Sequence, residues 1–146
     1  MISIPQERGF VHFNEKGITA IQYYPTQKIA VISDAEGELL KVTVNDRSAF
    51  DQLVSDVKAA GVDLINIPVY SQGEEFPQYI SPAAVTFVTS SQAVEHGKIA
   101  AIVGVMGAGR IDTGATTKAI IDTIVEKTAK VKKLLPFTAE EASARF

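Results

Sequence analysis

The residues of this 146-residue chain best suited to chemistry gather in its second half. Asp112-Thr113-Gly114-Ala115-Thr116-Thr117-Lys118 sets a carboxylate, three hydroxyls, a glycine and an amine within seven positions. At a strand-to-helix turn such a run offers backbone N–H groups, hydroxyls and a positive charge to a small anion, with Thr113, Thr116, Thr117 and Lys118 as contacts. The same residue types also serve plain turn and helix-cap chemistry, which is the simpler reading. Gly104-Val105-Met106-Gly107-Ala108-Gly109 looks like a phosphate-binding loop, but it links two predicted strands and no Gly-Lys-Ser/Thr run follows. A hairpin or bulge is expected there, with close backbone approach by another chain as the functional alternative. His12 and His96 have no carboxylate or second histidine at metal spacing, so no metal site is expected. Glu74-Glu75 reads as a solvated loop tip. Lys127, Lys130, Lys132 and Lys133 crowd the end of a predicted helix, where positive charge suits the macrodipole. They lack the interleaved aromatics of a single-strand-binding surface.

The elements that must position these groups follow from periodicity. Phe10–Phe13, Ile18–Tyr24, Lys28–Ile32 and Leu39–Val44 read as strands, with Ala35-Glu36-Gly37 as a turn. Asn45-Asp46 then opens a helix whose Phe50, Leu53, Val54 and Val57 share one face, and Gly61 follows as a C-cap. The stretch from Val62 to Tyr70 reads as one strand weakened by Pro68, and Ser71–Pro77 as a polar linker. Beyond it, Tyr79-Ile80, Val85–Thr89, Lys98–Val103 and Arg110–Asp112 repeat a four-strand order. A second helix opens at Thr116 or Thr117, with Ile121, Ile124, Val125 and Thr128 on its inner face, and Pro136 ends it. Thr138-Ala139-Glu140-Glu141 has capping-box spacing and opens a short helix to Arg145, bracketed by Phe137 and Phe146.

The two passes superpose. Lys28–Ile32 matches Lys98–Ile102 seventy positions on, and Phe50–Val54 matches Ile121–Val125 seventy-one positions on. The expected fold is therefore α+β: a tandem duplication of a small antiparallel four-strand-plus-helix unit, sharing one core and followed by a C-terminal helix. The expected organisation is a first copy over 1–61, a connecting strand and loop over 62–77, a second copy over 78–135 and a tail over 136–146, all in one compact domain.

Composition narrows the function classes. Hydrophobic residues make up 46% and charged residues 21%, as in an ordinary folded domain. The net charge of −3 counts against nucleic acid as a partner. With no cysteine, disulfides, thiolate metal sites and cysteine nucleophiles are excluded. Met1–Phe10 lacks the basic and apolar regions of a signal peptide, and no apolar run is long enough to span a bilayer. A cytoplasmic or virion location is expected, without membrane association.

Asp112-Thr113-Gly114-Ala115, with Ile111 before it, resembles the D-T-G-A signature of retropepsin-type aspartic proteases. That family pairs two such aspartates, one from each chain, so that they share a proton. Here only 31 residues follow Ala115, and they read as helix without a glycine-rich flap. The duplication also puts the motif where the first copy simply starts a helix. The element order is similar to that of PUR-type and whirly-type nucleic-acid modules, as a matter of topology alone. We therefore expect a non-enzymatic structural or assembly protein without a cofactor. It would be a homo-oligomer, in the class that includes viral (phage) components, and Phe137 and Phe146 would dock on a neighbouring subunit. The alternatives are a binder of a nucleotide or phosphorylated metabolite at Thr113, Thr116, Thr117 and Lys118, and a single-stranded nucleic-acid module using the lysine-bearing helix.

Overall fold

The computed structural model describes residues 1–71, 74–90 and 100–132. In chain order the elements are β1 (Ile2–Gln6), β2 (Gly9–Phe13), β3 (Ile18–Tyr24), β4 (Ile29–Asp34), β5 (Gly37–Thr43), α1 (Arg47–Ala59), β6 (Ile65–Asn66), β7 (Val69–Ser71), β8 (Glu74–Phe76), β9 (Gln78–Ile80), a 3-10 turn (Pro82–Ala84), β10 (Val85–Ser90), β11 (Ala101–Val105), β12 (Gly109–Thr113) and α2 (Thr117–Lys132). The strand pairs are antiparallel throughout the described residues, and the fold is α+β. β1 and β2 form a separate hairpin. One five-stranded sheet runs β5-β4-β3-β9-β6 and a second runs β10-β11-β12-β7-β8. Each sheet thus holds a three-stranded meander, β3–β4–β5 or β10–β11–β12, and a helix follows each meander.

Local chemistry sets the element ends. Asp34 Oδ1 accepts a hydrogen bond from the Glu36 N–H at 2.9 Å, and Gly37 takes a φ of +134°, closing the β4–β5 turn. Asp46 caps α1 by accepting from the Ala49 N–H at 2.8 Å. Phe50, Leu53, Val54 and Val57 are buried, as their spacing predicts. Gly61, at a φ of +100°, carries the chain away from the helix.

Several expectations are corrected. Phe10–Phe13 pairs with β1, a strand that the sequence reading missed, and not with the first meander. Tyr79-Ile80 pairs with β3 and so joins the first meander's sheet. The single strand expected over 62–70 is two strands in different sheets, because Pro68 has no N–H to continue a ladder. Glu74 and Glu75 lie in β8, where Ser71 pairs with Glu74, and are not a loop tip. On α2, Ile120 is buried, while Ile121 and Val125 are each 44% exposed, so the inner face is turned by one residue from the one expected. Lys98-Ile99, His96, Lys133, the expected tail helix, Phe137 and Phe146 lie outside the described residues.

Two apolar clusters replace the single shared core. The first joins α1 to Ile2, Phe13, Ile18, Ile21, Tyr23 and Ile32. The second joins Ala20, Ile65 and Ile80 to Ala101, Val103, Val105 and Ile111, with Ile120 from α2. β3 contributes to both. Strand side chains alternate, so Ile21 and Tyr23 face one cluster and Ala20 the other. A bulge between Ile18 and Ala20 shifts the phase, which lets Ile18 join Ile21 despite their odd spacing. β9 follows the same division through its pairs Ala20–Ile80 and Ile21–Tyr79, with Tyr79 packed on the first cluster.

Glutamine amides complete ladders where strands run out. Gln78 is the first residue of β9, and its side chain accepts from the Tyr23 N–H at 3.2 Å and donates to the Tyr23 carbonyl at 3.3 Å. The amide mimics one more strand residue. Gln6 does the same at Thr43, accepting at 2.9 Å and donating at 3.4 Å, and so ties the β1–β2 hairpin to the edge of β5. Gln78 is buried, so replacing it leaves both Tyr23 groups without partners. Gln78→Leu is expected to cost about 1–3 kcal/mol, read as a lower urea midpoint at unchanged slope.

Candidate functional site

The turn from β12 into α2 uses its hydroxyls internally. Thr113 is 0% exposed and pairs with Ala101 on one side and Val69 on the other. Its hydroxyl accepts from the Ala115 N–H at 3.1 Å, and its carbonyl accepts from the Ala100 N–H at 2.9 Å. Thr116 accepts from the Ala119 N–H at 3.2 Å, the geometry of an N-cap and the counterpart of Asp46 on α1. The Thr117 hydroxyl bonds to that of Ser90 at 3.1 Å. Lys118 is exposed, as is Asp112. The four residues expected to contact an anion are therefore close in the chain, but they fold into a cap, with the Lys118 amine as the group facing solvent. Thr116→Ala is expected to destabilise the protein by about 1 kcal/mol, read by thermal or urea unfolding.

The glycine-rich stretch is the β11–β12 hairpin, as expected. Its glycines answer two steric demands. The Phe87 ring lies over Gly104, where a Cβ would collide with it, and the Arg110 guanidinium lies over that ring at 5.9 Å from its centroid. Gly107, at a φ of +80°, packs against the backbone of the β4–β5 turn, and a Cβ there would overlap the Asp34 carbonyl. The close approach foreseen for another chain is made by this chain's own first half. Gly107→Ala is expected to be destabilising by more than the roughly 1 kcal/mol of an ordinary positive-φ substitution, since backbone must move as well. Gly109→Ala, with open space around it, should show only the conformational cost; unfolding curves of the pair provide the check.

The other sequence candidates stand apart. His12 is exposed, with Nδ1 at 2.6 Å from the Ser3 hydroxyl and Phe10 stacked on its ring. Of the cluster Lys127, Lys130, Lys132 and Lys133, only the side chain of Lys127 is described, and it is half-buried.

A cleft that motif reading missed opens on the other side of the Thr19 bulge. It has a volume of about 520 Å³ and is lined by the β2–β3 connection, the end of α1, the 3-10 turn and the β11–β12 turn. Ile18, Val62, Ala84 and Met106 give it apolar walls, and Glu15, Thr19 and Ser81 bring polar groups. Thr19 is 6% exposed, and its hydroxyl has no hydrogen-bond partner. The Glu15 side chain is 13% exposed, and its Oε2 forms an ion pair with the Met1 amino nitrogen at 2.9 Å. A backbone hydrogen bond, reinforced by that amine, holds the Glu15 carboxyl below the usual carboxylate range. No local motif marks this cleft, because its walls converge from segments distant in sequence.

No protein family matches this chain, and no curated protein or solved structure matches it. Among the described residues no helix is long and apolar enough to cross a membrane.

Proposed function

We propose that this chain is a non-enzymatic structural or assembly protein that forms a homo-oligomer through the outer face of α2. The class includes viral (phage) components, as the sequence led us to expect. The observation that carries the reading is the pair Ile121 and Val125, each 44% exposed and spaced i, i+4 on one stripe of the helix. Among the described residues the fold does not use this stripe, because Ile120 and Ile124 face the second cluster.

The duplication expected from the sequence is part of this proposal, and it gives the stripe an internal control. The fourth residue of each helix is buried, Phe50 in α1 and Ile120 in α2, seventy positions apart. At this offset, one residue shorter than the seventy-one that the sequence pattern suggested for the helices, α1 carries Asp51 and Ser55 where α2 carries Ile121 and Val125. The first helix is thus polar on its outer face and the second is apolar, which favours a partner for the second alone. A second copy is the occupant proposed, since one stripe on each of two copies makes a self-complementary twofold contact. The phosphate-ligand and nucleic-acid readings have less support, because the threonine hydroxyls at the β12–α2 turn are engaged within the chain.

Light scattering of the purified chain is expected to give a multiple of the monomer mass. Ile121→Gln combined with Val125→Gln is expected to return the monomer with an unchanged circular dichroism spectrum. A monomeric parent protein, or an unchanged mass in the double variant, overturns the reading.

A further inference from the structure

We propose that the contact between copies continues from α2 onto the free edge of β10, where β10 of a second copy pairs antiparallel and joins the two second sheets into one. The inference rests on the assembly reading for its occupant, and it adds a backbone pairing that the helix stripe alone does not require. It starts from the sheet edges. Among the described residues, the two five-stranded sheets end in β5, β6, β8 and β10. An edge strand presents unpaired N–H and C=O groups, and proteins blunt it by shortness, charge, proline or a cover. β6 has two residues. β8 has three, two of them glutamates, and Pro77 follows it. β5 carries Glu38 and Lys41, and the Gln6 amide occupies the backbone of Thr43. β10 differs from all three. Its six residues, Val85-Thr86-Phe87-Val88-Thr89-Ser90, include no charge and no proline, and most are β-formers. A bulge lies between Val85 and Phe87, but Phe87–Ser90 then pairs with β11 in unbroken register. Among the described residues, no backbone group from Thr86 to Ser90 bonds to a strand other than β11. Thr86, Phe87, Thr89 and Ser90 are exposed.

This edge is continuous with the stripe on α2. The helix packs against β10 and the 3-10 turn before it. Thr117, Ile121 and Val125 follow one another at i, i+4 and i+8, so they form a single ridge along the helix. The first member of that ridge reaches the edge strand, since the Thr117 hydroxyl bonds to that of Ser90 at 3.1 Å. The apolar pair and the bare strand edge therefore lie on one side of the molecule. A second copy seated on Ile121 and Val125 meets β10 as well.

Symmetry fixes the pairing. Two identical strands that pair antiparallel are related by a twofold axis normal to the sheet, which makes the contact self-complementary. Opposed residues in such a ladder point to the same face, and faces alternate along each strand. The axis must then pass beside one residue and its own copy, and Val88 is the centre of the run from Thr86 to Ser90. In this register Phe87 lies opposite Thr89 of the second copy, and the same pair recurs on the other side of the axis. Aromatic and β-branched residues make favourable cross-strand partners, and no like charges meet. The two α2 helices lie antiparallel on one face of the joined sheet, ridge to ridge.

The register makes the test specific, because two variants of the same positions have opposite consequences. Phe87→Glu combined with Thr89→Glu sets carboxylates opposite one another at both pairs. Phe87→Lys combined with Thr89→Glu sets an amine opposite a carboxylate at both. Each variant loses the Phe87 ring, so their comparison isolates the pairing. By sedimentation equilibrium of the full chain, the all-glutamate variant is expected to have a dimer dissociation constant at least about tenfold above that of the lysine–glutamate variant. In the parent, alternate amides of Thr86–Ser90 are expected to exchange with deuterium more slowly than in the Ile121→Gln, Val125→Gln protein. Equal dissociation constants for the two β10 variants, or unchanged exchange along β10 in a parent that the α2 substitutions render monomeric, overturns this inference and leaves the assembly reading standing. A monomeric parent overturns both.

Discussion

Strand β3 has to serve two cores at once, and most of the structure follows from that demand. It is the middle strand of its sheet, held by β4 on one side and β9 on the other. Its two faces feed two apolar clusters that contain most of the buried side chains. A strand buried on both sides needs small and large residues in the correct order, and Ala20 between Ile18 and Ile21 meets that need only because of the bulge. The bulge in turn leaves the Thr19 hydroxyl without a partner beside a cleft.

The connection between the meanders is woven into both sheets. β6 and β9 extend the first sheet, while β7 and β8 extend the second. Pulling the halves apart would therefore break ladder hydrogen bonds as well as apolar contacts. The contact between the β4–β5 and β11–β12 turns adds a third tie, and it permits no side chain at Gly107. A glycine-rich segment that resembles a nucleotide loop is here a place where two backbones touch. The D-T-G-A run has a similar explanation, since Thr113 and Thr116 organise the entry to α2 much as Asp46 organises the entry to α1.

The two helices then differ in what they leave outside. α1 buries its apolar side chains and shows polar ones. α2 shows an apolar stripe next to its buried one. Both helices follow a meander and bury one apolar face, so the exposed apolar pair of α2 is a feature that covering a sheet does not require.

The sequence by itself determined the local elements where period and punctuation agree. The α+β class, the two meanders, the α1 face and its Asp46 start are all legible, because alternation, i, i+3, i+4 spacing and capping chemistry act over a few residues. It also identified the β12–α2 turn as cap chemistry and the glycine-rich run as a hairpin. Tertiary structure alone decided which strands pair across the connection, since short runs such as Val69–Ser71 and Gln78–Ile80 carry no mark of the sheet they will join. It decided that Ile120 and not Ile121 turns inward, a rotation of one residue that neighbouring apolar positions on α2 leave open. It also decided the cleft, whose Glu15, Thr19 and Ser81 come together only when β3, α1 and the 3-10 turn have packed. Alternation and spacing are properties of a short stretch of chain, whereas the wall of a cleft is a property of everything that packs around it.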